Sequence, residues 1–210
     1  MATTGPDAVA GVILAGGRGR RMGGADKGWV AWEGRFLVER VLERLQPQVG
    51  EVIISANRNL DRYRALGCKV VADAQEEHGA FAGPMAGMLA ALRDCTARRA
   101  VFVPCDAPSL PGDLVARLVA GAGDADAAAL ACCGGRRQPV FCLLPVALAP
   151  RLARALADGE RRPAVFLENV GAREVLFDDA AAFANINSGA DADVAAAALA
   201  GAPLPRAWHE

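Results

Sequence analysis

The sequence predicts an α/β protein in which helices cover both faces of a mostly parallel sheet. Short apolar runs such as 9–14 are typical of strands buried in a parallel sheet. They alternate along the chain with segments whose apolar residues recur at helical spacing, such as 37–45. Polar residues directly follow several of the runs, and open α/β sheets bind ligands beyond the carboxyl ends of their strands. These observations predict both the fold class and the edge of the sheet that carries the site.

The first half of the chain contains four predicted strands, at residues 9–14, 51–56, 69–72 and 100–103. The predicted helices between them cover 37–45, a short stretch that ends near 66, and 84–92. Pro47 ends the first helix, and Pro84 suits the first turn of the third. A short extended segment is expected over 29–32.

The second half continues the alternation. Pro111 is expected to open a helix, and later helices are predicted at 145–157, 163–169 and 191–200. Further strands are predicted at 127–132, 140–144, 175–177 and 184–186. Residues 1–8 and 201–210 are expected to be flexible tails, so that 9–200 forms a single domain, which suits a chain of 210 residues.

The most informative stretch is a loop at residues 14–28, LAGGRGRRMGGADKG. Glycines let backbone N–H groups approach a ligand closely, and basic side chains attract anions. The loop lacks the dinucleotide fingerprint, because the sixth position counted from Gly17 is Met22. It also lacks the P-loop motif, because Lys27 follows an aspartate and precedes a glycine. We therefore expect a phosphate-binding loop of another kind.

The composition restricts the partners that this chain can have. The formal net charge is −1, so there is no basic excess for nucleic acid, and the local positive charge favours a small anionic ligand. The six cysteines form no C-x-x-C pair and there are only two histidines, which argues against structural zinc. We expect neither a secretory signal nor a membrane span, and hence a cytoplasmic protein with free thiols.

Asp106 is the most specific acidic residue in the sequence. It ends an apolar strand between Pro104 and Pro108, and a carboxylate at that place can hold Mg²⁺ together with substrate phosphates. The alternative is a turn acid or helix cap, and the phosphate loop at the same edge favours the metal. Lys27 could neutralise a phosphate, with a solvated surface lysine as its alternative.

Other polar residues at the strand ends keep two interpretations. Asp73 is expected either to contact the ribose or base of a nucleotide or to cap a turn. Asn185 and Asn187 share one face of a predicted strand, because they are two residues apart. Their amides are expected either to support the metal site or bind phosphate, or to form an ordinary polar edge. The GERR segment at 159–162 is expected either to bind a second anionic substrate or to form a solvated helix start.

Six motifs together resemble the nucleotidyltransferases of the molybdenum cofactor pathway, most closely the guanylyltransferases of the MobA type. They span almost the whole chain: LAGGRGRRMGGADKG at 14–28, SANR at 55–58, GPMAGML at 83–89, PCDAP at 104–108, GERR at 159–162 and FANINS at 183–188. The resemblance implies a Rossmann-like, three-layer nucleotide-diphospho-sugar transferase fold. It also implies transfer of GMP from GTP to the terminal phosphate of molybdopterin, with release of pyrophosphate.

The resemblance also implies roles for individual residues. The residues implied to contact the nucleotide are Leu14, Ala15, Gly16, Lys27, Asp73 and Asp106. Asp106 would also bind Mg²⁺, the implied cofactor. The residues implied to serve catalysis or the molybdopterin side are Gly17, Arg21, Gly24, Arg161, Asn185 and Asn187. Ser55 stands where the family often has asparagine, with Asn57 two residues further on, and Ser55 is expected to contact the nucleotide in its place.

The implied partners are GTP, molybdopterin, other proteins of the cofactor pathway and apo-molybdoenzymes. Three alternatives remain open at this point. A cytidylyltransferase of the same pathway would begin its loop with LAAG, whereas this chain has LAGG at 14–17. A sugar-1-phosphate nucleotidyltransferase would use the same loop with another acceptor. A non-catalytic nucleotide-binding module for cofactor delivery would bind GTP without releasing pyrophosphate.

Overall fold

A computed structural model describes residues 9–17, 26–73 and 83–186 of the chain. Its centre is a seven-stranded sheet in the order β5-β4-β1-β6-β8-β7-β9. A separate two-stranded hairpin is formed by β2 and β3. The strands are β1 (Val9–Leu14), β2 (Ala31–Trp32), β3 (Arg35–Phe36), β4 (Glu51–Ser55), β5 (Lys69–Val71), β6 (Arg99–Pro104), β7 (Ala129–Cys133), β8 (Arg136–Pro145) and β9 (Arg173–Phe177).

The α-helices of the described residues alternate with these strands. They are α1 (Leu37–Leu45), α2 (Leu60–Arg64), α3 (Pro84–Asp94), α4 (Leu114–Ala122), α5 (Ala149–Ala157) and α6 (Pro163–Asn169). Short 3₁₀ turns occur at Lys27–Trp29, Gln46–Gln48, Val146–Leu148 and Ala181–Phe183. No helix in the described part of the chain is both long and apolar enough to cross a membrane.

The predicted parallel sheet is confirmed, with one antiparallel strand. β1 pairs in parallel with β4 on one side and with β6 on the other, and β7 pairs in parallel with β9. Only β8 runs against its two neighbours in the sheet. The carboxyl ends of the remaining strands therefore meet at one edge, where Leu14 is in register with both Ser55 and Pro104.

Two apolar cores confirm the three-layer arrangement. On one face, α1 and α4 bury side chains such as Val41 and Leu118 against the sheet. On the other, α3, α5 and α6 bury Met88, Leu152 and Phe166. Gly11 in β1 lets α1 approach, because a Cβ at that position would lie 2.9 Å from the Leu45 side chain. The sheet is thus buried on both sides, which is why its strands read as continuous apolar runs.

The structure corrects four predictions. The helix predicted at 145–157 begins at Ala149, because Pro145 ends β8 and a 3₁₀ turn covers Val146–Leu148. Residues 184–186 do not form a strand; the 3₁₀ turn Ala181–Phe183 precedes them, and the Ile186 N–H donates to the Asp106 carbonyl at 2.8 Å. Helix α4 begins at Leu114, three residues later than Pro111 suggested. The extended segment expected over 29–32 is shared between a 3₁₀ turn and β2. The predicted helix at 191–200 and both predicted tails lie outside the described residues.

Candidate active site

The glycine-rich loop leaves the sheet between two neighbouring strands. At the end of β1, the Ala15 N–H donates to the Ser55 carbonyl at 2.7 Å, and the Leu14 carbonyl accepts from the Cys105 N–H at 3.1 Å. These bonds place the start of the loop between the last residue of β4 and the residue that follows β6. The Gly17 carbonyl then accepts a 3.1 Å hydrogen bond from the Arg58 guanidinium.

Asp73 is held by side chains at the end of the neighbouring strand β4 and just after it. Its Oδ2 accepts from Asn57 Nδ2 at 2.8 Å, and its own N–H donates to Asn57 Oδ1 at 3.0 Å. Ser55 Oγ lies 3.5 Å from Asp73 Oδ1 and donates to it. Because both functional groups of the Asn57 amide are used on Asp73, the carboxylate has a defined orientation.

Two glycines let the backbone approach this cluster. A Cβ at Gly16 would lie 3.1 Å from Asn57 Nδ2, so the loop passes directly over the Asn57–Asp73 pair. A Cβ at Gly87 in α3 would lie 2.4 Å from Ser55 Oγ and 3.3 Å from Asp73 Oδ1. Real Cβ contacts are longer than 3.0 Å, so an alanine at position 87 would displace the serine hydroxyl.

Lys27 and Asp106 form an ion pair at the end of β6. Lys27 Nζ lies 2.8 Å from Asp106 Oδ2, and the side chains are 28% and 9% exposed. The Asp106 backbone is fixed as well, because its carbonyl accepts from the Ile186 N–H. Ile186 is itself buried beside Trp32 and Leu37. The two charged residues that the sequence singled out therefore share one place at the predicted edge.

Cys105, beside Asp106, is not a nucleophile in this arrangement. Burial raises the pKa of its thiol, and the negative charges of Asp106 and Asp26 raise it further. The thiol therefore remains protonated at neutral pH. Among the described residues, no group of three His, Cys, Asp or Glu side chains comes together as a metal site. His78 lies outside those residues.

The GERR segment is largely paired within itself. Glu160 accepts from the Arg162 guanidinium at 2.9 and 3.0 Å, and these bonds lower the pKa of Glu160 to about 2. Arg161 Nη1 donates to the Leu156 carbonyl at 2.7 Å. A Cβ at Gly83 would lie 3.6 Å from the Arg161 carbonyl, so the segment adjoins the start of α3. The Glu160–Arg162 pair favours a helix start over an anion site for Arg162.

Some predicted site residues lie outside the described part of the chain, namely Arg21, Gly24 and Asn187. Asn185 precedes Ile186 and therefore lies close in sequence to the Asp106 contact, but not on a strand. The sequence alone did not single out Asp26, Tyr63 or Gly87, which contact the predicted residues or lie beside them. For Asp26 and Gly87 a signal existed, because both lie inside motifs that carried the resemblance.

This chain is similar to known proteins over most of its length. A molybdenum cofactor guanylyltransferase of Cupriavidus taiwanensis is 49% identical over 189 residues, which cover 87% of this chain and 93% of that protein. The molybdopterin-guanine dinucleotide biosynthesis protein A of Archaeoglobus fulgidus superposes with a TM-score of 0.71 at 25% identity, covering 92% of this chain and all of that one.

The fold is also shared with more distant nucleotidyltransferases. The 4-diphosphocytidyl-2C-methyl-D-erythritol synthase of Anaerococcus prevotii has a TM-score of 0.72 at 11% identity, over 92% of this chain and 96% of that one. The family model for the MobA-like NTP transferase domain matches residues 11–174. This chain therefore belongs to the family of MobA-like NTP transferases.

Proposed function

We propose that this protein transfers GMP from GTP to the phosphate of molybdopterin and releases pyrophosphate. The observation that carries the proposal is the Lys27–Asp106 pair, which places a cation and a carboxylate together at the sheet edge that bears the glycine-rich loop. The 49% identity to a molybdenum cofactor guanylyltransferase supports the choice of donor and acceptor. A nucleotidyltransferase needs both charges, because it must bind a triphosphate and stabilise its departing part.

The residues around Asp73 suit the nucleoside part of the donor. The Asp73 carboxylate is oriented by Asn57 and Ser55, and it can accept hydrogen bonds from a base or a ribose. Gly16 lies against the same cluster and exposes its backbone there. Leu14, Ala15, Gly16 and Gly17 would then line the path from the nucleoside to the phosphates.

Mg²⁺ fits the donor set at Asp106. This ion binds one or two carboxylates and completes its shell with water and substrate phosphates, so a site without a third acidic ligand is suitable. Asp106 is buried, and its Oδ2 lies 2.8 Å from the Lys27 ammonium, so this carboxylate can neutralise positive charge at the site. When bound, Mg²⁺ would supply charge neutralisation on the phosphates.

The chain's own groups would act by position and charge. The terminal phosphate of molybdopterin is already ionised near neutral pH, because the second pKa of a phosphate monoester is about 6. It attacks the α-phosphorus, and the bond to the pyrophosphate breaks, so no strong general base is needed. The obstacle is repulsion between two anions, which Lys27 and the N–H groups of the loop would reduce. Arg21 and Arg161 are proposed to act on the same anions.

The proposed compartment is the cytoplasm. The cysteines described in the structure are free thiols, several of them buried, such as Cys142, whose pKa is raised by burial. Free buried thiols are typical of proteins in a reducing compartment.

The decisive experiment compares GTP, CTP and ATP as donors in the presence of Mg²⁺ and molybdopterin, with pyrophosphate release as the measurement. We expect release with GTP at a rate at least tenfold above CTP. Release with CTP alone would identify a cytidylyltransferase instead. In a parallel reaction, sugar 1-phosphates replace molybdopterin as the acceptor. Pyrophosphate release with a sugar 1-phosphate but not with molybdopterin would identify a sugar nucleotidyltransferase. GTP binding without any release would identify a delivery module.

A further inference from the structure

Asp26, the residue before Lys27, accepts three hydrogen bonds, one from Tyr63 in α2, one from Asn59 just before that helix and one from Gly28 in its own turn. Asp26 Oδ1 accepts from the Tyr63 hydroxyl at 2.6 Å and from the Gly28 N–H at 3.3 Å. Asp26 Oδ2 accepts from Asn59 Nδ2 at 3.0 Å. A carboxylate that receives three donors has little freedom to rotate, and hydrogen bonds to an ionised acceptor are among the stronger ones. Asp26 therefore joins the turn that carries Lys27 to α2.

The Tyr63 hydroxyl that donates to Asp26 is buried. Tyr63 is fully inaccessible to solvent, and its ring lies 5.0 Å from the Trp29 ring, centroid to centroid. Trp29 in turn packs edge-on against Phe36, with the Arg62 guanidinium 3.9 Å from the Trp29 ring centroid. Burial raises the pKa of Tyr63, and the hydrogen bond to Asp26 raises it further, so the phenol remains a donor.

The backbone on the other side of Lys27 is fixed too. Gly28 lies against the same phenol, because a Cβ there would be 2.4 Å from the Tyr63 hydroxyl oxygen. The 3₁₀ turn is closed by bonds from the Trp29 N–H to the Asp26 carbonyl and from the Val30 N–H to the Lys27 carbonyl. Lys27 is therefore held between two immobilised neighbours, and its ammonium lies 2.8 Å from Asp106.

From this geometry we propose that Tyr63 and Asp26 are positioning residues, which act through Lys27 to hold its ammonium where the triphosphate binds. The inference rests on the proposed function in one respect, namely that Lys27 contacts the phosphates. The lysine ammonium is a point charge on a flexible side chain. Its position relative to a bound phosphate therefore depends on how firmly the backbone of that lysine is held. Neither Tyr63 nor Asp26 needs to touch the nucleotide for this effect.

The test compares the binding of GTP and guanosine by calorimetry. Tyr63→Phe removes the hydroxyl and keeps the ring. We expect its affinity for GTP to fall five- to tenfold while its affinity for guanosine changes less than twofold, because only the phosphates meet Lys27. Asn59→Gly is a milder second variant, since position 59 has a left-handed φ of 52° that glycine adopts easily, and it should act in the same direction.

The matched control is Thr96→Val. The Thr96 hydroxyl also donates to a carboxylate, Glu51, at 2.7 Å, but at the start of β4 and thus at the opposite edge of the sheet. This variant should leave both affinities unchanged. Thermal melting of all variants verifies that they are folded.

A double-mutant cycle with Lys27→Met decides whether Tyr63 acts through Lys27. In the Lys27→Met background, Tyr63→Phe should cause no further loss of GTP affinity. The proposal is overturned if the loss is as large in that background, if guanosine binding falls as much as GTP binding, or if folded Tyr63→Phe binds GTP normally.

The same measurements separate this proposal from the proposed function. If the native protein binds CTP more tightly than GTP, the guanine preference is wrong. The comparison of CTP with cytidine then tests whether Tyr63 and Asp26 position Lys27. If the native protein binds GTP but releases no pyrophosphate, the proposed reaction is wrong, and the ratio of GTP to guanosine affinity still decides the role of Tyr63.

Discussion

Lys27 and Asp106 lie 79 positions apart in sequence and 2.8 Å apart in space. One belongs to the turn that follows the glycine-rich loop, and the other to the end of β6. Both are partly removed from water, so each charge depends on the other more than a surface pair does. This contact joins the two segments on which the proposed phosphate chemistry depends. Substituting Lys27 and Asp106 one at a time therefore tests the role of each residue.

Asp106→Asn should abolish transfer and leave the fold intact. The substitution keeps the shape and the backbone carbonyl that accepts from Ile186, but it removes the charge that would hold Mg²⁺. We expect pyrophosphate release to fall at least ~100-fold, with an unchanged circular dichroism spectrum. Asp124→Asn, in an exposed turn, is the control and should retain full activity. Near-normal turnover in Asp106→Asn would contradict the metal assignment.

Lys27→Met should destabilise the protein and stop transfer. It leaves the Asp106 carboxylate, 9% exposed, without the ammonium at 2.8 Å, which should cost about 1–2 kcal/mol for a partly buried pair. Urea unfolding measures this change. The double variant Lys27→Met, Asp106→Asn should recover part of the lost stability, because no unpaired charge remains. Additive losses in the double variant would show that the ion pair contributes nothing to folding.

Gly87→Ala should weaken nucleotide binding. The new methyl would meet Ser55 Oγ at 2.4 Å and crowd Asp73, which displaces the carboxylate from its orientation. Overpacking of this kind costs about 1–3 kcal/mol, and GTP affinity should fall several-fold in calorimetry. Gly112→Ala is the matched control, because a Cβ there meets nothing within 4 Å. If GTP binding is equal in the two variants, the cluster around Asp73 does not contact the nucleotide.

Glu51 should contribute stability that disappears in acid. Partial burial opposes ionisation of Glu51, but hydrogen bonds from Thr96 and from the Ala97 N–H outweigh it and lower its pKa below the ordinary 4.5. A depressed pKa in the folded state stabilises the protein above the unfolded pKa, and the benefit is lost as the pH falls through the folded pKa. In urea unfolding, Glu51→Gln should be less stable than the native protein at pH 7, and the difference should shrink below pH 4.5. A difference independent of pH would contradict this account.

The local pattern predicted most elements well, because their physical causes are local. Runs such as 9–14 are apolar because both faces of the sheet are covered, and the spacing in 37–45 follows from one buried helix face. Helix α4 was placed too early because its start depends on a distant side chain. Gln48 accepts from the Val115 N–H at 3.1 Å and donates to the Pro111 carbonyl at 2.9 Å, and neither contact is visible in the sequence around Pro111.

The sequence by itself determined the alternation of strands and helices, the glycine-rich loop and the residues at the strand ends. It determined them because periodicity, glycine content and charge are properties of neighbouring residues. Only the tertiary structure decided which of those residues meet. That Lys27 contacts Asp106, that Asn57 orients Asp73 and that Tyr63 holds Asp26 depend on sheet order and helix placement. Such contacts join residues far apart in the chain, and no local pattern encodes them.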